Sequence, residues 1–201
     1  MRISQEQMEW ATVDRMRDML VNVHEDYKVT HTYALFTAIL CWVMQRIRSQ
    51  GHSALDRRAR SVLAVLENEE ISDAPWDIWT RRDQVREPGV RRPGPFTDFD
   101  GFNAARFLIA LRNATSHGDA RNIRPVNKND FLVGHEFRCS EKYRRGRITW
   151  QGRIILDRRD MRRIGTAVAD RFCAALSERA NQPAHDRFEA DARNLPEEEA
   201  A

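Results

Sequence analysis

The sequence lacks most of the features by which chemistry is usually recognised. Its nine glycines are scattered, and none forms a glycine-rich phosphate loop. Its three cysteines, Cys41, Cys139 and Cys173, are an odd number at wide spacing. That excludes a disulfide framework and a recognisable zinc pattern, so neither a metal site nor a cofactor is expected. Cys41 and Cys173 fall in apolar helical stretches and read as core residues. Lysine is scarce, and almost all the positive charge is arginine. The longest apolar run, YALFTAILCWVM, is too short to span a bilayer. The opening MRISQEQMEW has no apolar signal region. A cytoplasmic protein is the expectation. There is no internal repeat.

What remains is a highly charged chain of 201 residues, 41% apolar and 31% charged. That is enough for one domain with a substantial core. Lys and Arg exceed Asp and Glu by only three, but the charge is unevenly spread. Ten basic residues lie between Arg138 and Arg163, and the chain ends in the acidic LPEEEAA. A basic back half suits a polyanion, although a solvated arginine-rich surface would read the same way.

Apolar periodicity predicts a helix over residues 4–26, with Ser4 and Gln7 as a capping box. A second is predicted from Val29 to Ser49, apolar on nearly every face and so central to a bundle. A third follows from Ser53 to Glu67, then a short one around 75–85. REPGVRRPGPF, with three prolines and two glycines, is a loop. Another helix is predicted from Thr97 or Asp98 to about Gly118, followed by a polar loop, DARNIRPVNKND. FLVGHEFRC and RITWQGRIIL then read as two strands of a hairpin. Asp157 caps a last helix whose buried stripe is Met161, Ile164, Val168, Phe172 and Ala175. The expected fold is mainly α: a helical bundle with a β-hairpin inserted between the fourth long helix and the last.

The end of that fourth helix is unusual. FNAARFLIAL runs straight into Arg112, Asn113 and, after Ala-Thr-Ser, His117 and Gly118. Asn113 and His117, four residues apart, share a face, and a long arginine side chain can curl round a helix end to join them. A guanidinium on so apolar a helix must find a carboxylate, a cleft or a second subunit. Arginine holds phosphate by paired hydrogen bonds, and imidazole exchanges a proton near neutrality. Each residue alone is also an ordinary helix end: histidine suits the macrodipole and glycine the left-handed cap.

Arg-Asn-Ala-Thr-Ser-His, residues 112 to 117, resembles the R-x4-6-H signature of HEPN domains (higher eukaryotes and prokaryotes nucleotide-binding), including the polar residue after the arginine. The succession of helices is also similar, over residues 1–50 and 97–180, with 51–96 and 131–156 as elaborations of one domain and 181–201 as a flexible acidic tail. SHG followed by a polar loop is similar to a plasmid- and phage-associated branch. The resemblance implies a metal-independent endoribonuclease working as a homodimer through the motif helix. His117 would exchange protons, Arg112 would stabilise the phosphoryl transition state, and Asn113 would position either. The products would carry 2′,3′-cyclic phosphates. A toxin or phage-defence effector is implied, with an antitoxin or regulatory protein as partner. Asp119 stands where one toxin branch has a modifiable tyrosine, so that form of silencing is not expected. Glu25 and Asp26 are candidates for an acid added from an earlier helix.

Beyond the motif, Arg121, Arg124, Arg144 and Arg145 are expected to contact RNA. Tyr143 and Trp150 are interleaved with arginines as in hairpins that stack on bases. His135 reads as a surface or hydrogen-bonded residue. The alternative function is a non-catalytic HEPN module that binds RNA or nucleotide, or mediates assembly. A DNA-binding regulator ranks last, because no short helix-turn-helix pattern is present.

Overall fold

The computed structural model describes residues 8–22, 27–77, 99, 101–116, 122–142 and 148–177. Eight elements follow in chain order: α1 (Met8–Val21), α2 (Lys28–Arg46), α3 (Ala54–Glu67), α4 (Ala104–Ser116), β1 (Ile123–Lys128), β2 (Phe131–Lys142), β3 (Ile148–Asp157) and α5 (Arg158–Leu176). None of these helices is long and apolar enough to cross a membrane. The Ser4 cap, the REPGVRRPGPF loop and the acidic tail lie outside the described residues.

Local chemistry sets several boundaries. Ser53 and Asp56 form a reciprocal capping box at the start of α3, and Asp157 and Asp160 form another at α5. Each satisfies backbone N–H groups that the first helical turn leaves unpaired. α4 begins later than Thr97 or Asp98. Gly101 takes a positive φ of 75°, which glycine adopts without strain. Asn103 Oδ1 then accepts from Arg106 N at 2.9 Å, acting as the cap.

The mainly α bundle expected from the sequence is not what forms. Five helices share the described fold with a three-stranded antiparallel sheet of order β1-β2-β3, so the protein is mixed helix and sheet. Two physical facts make the difference. First, the polar stretch read as a loop contains β1, which pairs with β2 from Ile123 opposite Phe137 to Lys128 opposite Phe131. Asn129 and Asp130, both at positive φ, make the two-residue turn between them, the conformation that suits a tight hairpin. Pro125 is tolerated because β1 is an edge strand. Second, the sheet belongs to the core. Phe137, Cys139 and Leu156 are buried in the same apolar cluster as Phe36, Phe107 and Phe172.

α5 packs against α1, α2, α3 and β3. Its expected stripe is buried, with Ala175 only partly so, and Ala169, Cys173 and Leu176 are added to it. α2 packs against α1, α3, α4, α5 and β2 but is not enclosed all round. Ala34, Ala38 and Trp42, one turn apart, are exposed. α2 is therefore central, as its composition suggests, but leaves one narrow strip of its surface exposed.

Candidate functional site

α4 explains its own polar end. Ala104, Phe107, Leu108, Leu111 and Ala114 are buried at helical spacing. Ile109, Arg112 and Asn113 sit beside that stripe and are half-buried. The chain thus carries its polar groups at the rim of the core, where α4 meets α2.

Arg112 is fixed there by neutral groups. Its Nη2 donates to Gln45 Oε1 on α2 at 2.5 Å, and its Nη1 donates to Asn113 Oδ1 at 3.2 Å. Its Nε is buried and has no hydrogen-bond partner. Among the described residues no carboxylate reaches it. Two amide oxygens orient the guanidinium without neutralising it, so its charge remains available to an anion. The Arg112 carbonyl accepts from Thr115 Oγ1 at 2.8 Å and from Ser116 Oγ at 2.5 Å. Both hydroxyls thus fold back onto the helix backbone in its last turn.

Arg112 and Asn113 are therefore brought together as the sequence suggests. His117 follows the last residue of α4 and lies outside the described residues, as do Arg121, Tyr143, Arg144, Arg145, Glu25 and Asp26. Arg124 is exposed on the edge strand β1, opposite Glu136 of β2. It belongs to the sheet rather than to a loop trailing the motif. Trp150 is not a free stacking platform. Its ring packs on Phe102 and Phe99, at 4.6 and 4.9 Å between centroids.

Gln45 and Cys41, which contact this end of α4, carry no local sequence signal. Gln45 is 67 residues away in the chain. Cys41 Sγ lies 3.2 Å from Thr115 Oγ1, so Cys41 lines this end of α4 half-exposed rather than sitting in the core. The Tyr33 phenol is pushed up by burial and by the Cys41 thiol. Its ring stacks on His135, with centroids 4.0 Å apart. His135 is buried rather than superficial, and its Nδ1 has no hydrogen-bond partner.

Burial lowers the pKa of His135 below its ordinary 6.5. The folded chain holds this imidazole neutral, while the unfolded chain protonates it below pH 6.5. The contribution is therefore fully present above that pH and is lost as pH falls toward the depressed folded value. Thermal melts between pH 7.5 and 5 should show declining stability, and His135→Phe should flatten that decline. An unchanged profile in the variant would assign the acid sensitivity elsewhere.

Among the described residues no three His, Cys, Asp or Glu side chains cluster in a way that could hold a metal ion. No protein-family model, curated protein or solved structure matches the chain.

Proposed function

We propose that this chain is a cytoplasmic, metal-independent endoribonuclease of HEPN type, serving as a toxin or phage-defence effector. The observation that carries the reading is Arg112. It stands at the rim of an apolar helix, oriented by Gln45 and Asn113 with no carboxylate among the described residues. The resemblance of Arg112 to His117 to the family motif supplies the chemistry. It rests on the motif, not on the bundle.

In this reading the RNA 2′-oxygen attacks the adjacent phosphorus. The O–P bond to the cyclic phosphate forms as the P–O bond to the 5′-oxygen breaks. His117 exchanges protons with these oxygens, one receiving what the other loses over the cycle. Arg112 stabilises the charge on the non-bridging oxygens. Asn113 keeps the guanidinium turned toward them. Arg121, Arg124, Arg144 and Arg145 hold flanking phosphates. A second copy packs through the motif helix, α4, and brings two motifs to one cleft. An antitoxin or regulatory protein restrains the activity.

The required 2′-hydroxyl gives the test. An RNA strand should be cut, while the same sequence as DNA or with uniform 2′-O-methyl groups should remain intact over the same time. Cutting of all three would remove the proposed reaction.

A further inference from the structure

A second cationic site lies away from α4, on the outer face of α5. Four arginines, Arg158, Arg159, Arg162 and Arg163, occupy its first six residues, and its last turn has no basic residue. That is the reverse of the distribution a helix dipole favours. Local helix stability therefore gives no reason for the cluster, whereas a bound anion would be attracted by the arginines.

Of these, Arg159 and Arg162 line a groove of about 460 Å³ along α5, bordered by Val21 of α1. Arg163 and Arg171 also line it, but they are engaged by Asp77 at 2.6 Å and Glu69 at 2.9 Å. Asp170, the one carboxylate in the lining, is engaged by Arg17 at 3.1 Å. Arg159 and Arg162 are different. Both are exposed, and among the described residues neither has a partner. Three residues apart on one helix face, they are neighbours able to reach successive anionic groups.

We infer that this groove binds two adjacent phosphates of a single nucleic-acid strand, one at Arg159 and one at Arg162. Among the described lining residues there is no aromatic ring on which a base could stack. The contact is therefore to the backbone and tolerant of sequence, unlike the pocket a nucleotide base would need. The site goes beyond the proposed cleavage centre, and no residue of α4 lines it.

The test is fluorescence anisotropy of the full chain with a labelled, uniformly 2′-O-methylated 20-mer, which resists 2′-hydroxyl attack and so reads binding whether or not the chain cuts RNA. Removing two charge-assisted phosphate contacts should weaken binding about tenfold in Arg159→Gln/Arg162→Gln. The slope of log affinity against log salt should fall by about 1.4, or ~0.7 per phosphate lost from a single strand. Arg57→Gln/Arg58→Gln removes the same charge from α3 and should change affinity less than twofold. Equal losses in the two variants would reduce the effect to net charge and overturn the site. No loss in either would do so too. Displacement of the strand from the wild-type chain by equimolar pyrophosphate would also overturn it, because the groove would then be a small-anion site. The altered side chains are exposed, and circular dichroism melts of both variants check that each remains folded.

Discussion

Arg112→Ala should lower RNA cleavage by about 10²–10³-fold, the range for removing one group that stabilises a developing oxyanion. It should scarcely alter folding, because the side chain is half-buried at the rim and bonds only to Gln45 and Asn113. Arg112→Lys should be nearly as damaging. A lysine keeps the charge but not the planar fork that reaches Gln45, Asn113 and a phosphate together. Gln45→Leu, which removes a positioning contact, should cost about tenfold. Initial rates on a labelled RNA strand, beside melting curves, separate these outcomes. If Arg112→Ala cuts within twofold of wild type while folded, Arg112 has no part in the reaction.

Phe137→Ala should destabilise the chain by about 3–5 kcal/mol, the range for emptying a buried phenylalanine site. Phe137 is fully buried on β2, edge-on to Phe36 of α2 at 6.1 Å. This links the sheet to the helices. Phe131, on the same strand, is 75% exposed, and Phe131→Ala should stay within about 0.5 kcal/mol. Urea unfolding of the two variants measures the contrast. Equal small effects would make the sheet an appendage to a helical bundle, as the sequence alone suggests.

The sequence is most legible where structure is local. The starts expected at Ser53 and Asp157 are set within four residues of chain, and a capping box forms at each, with Asp56 and with Asp160. The apolar stripe of α5 is equally local. β1 is a different case. It mixes apolar and polar residues on both faces and holds a proline, and only pairing with β2 makes it a strand. Its one local clue is Asn129-Asp130, two residues tolerant of the left-handed backbone that a tight turn needs. The late start of α4 depends on Gly101 and Asn103, with Ala104 N donating to Glu69 O at 2.8 Å across the chain. At the candidate site, Arg112 and Asn113 stand out because polar groups interrupt an apolar helix. Gln45 and Cys41 do not, since only tertiary packing brings them near. Trp150 shows the reverse error: its arginine-rich surroundings resemble a base-stacking surface, but Phe99 and Phe102 occupy its ring.

The most direct measurement is cleavage of total RNA by the purified chain in EDTA, beside His117→Ala, with the ends of the products analysed. Cleavage by the wild-type chain alone, leaving 2′,3′-cyclic phosphates, is the expected result. Equal cleavage by both proteins, or none by either, would contradict a metal-independent nuclease that works through His117.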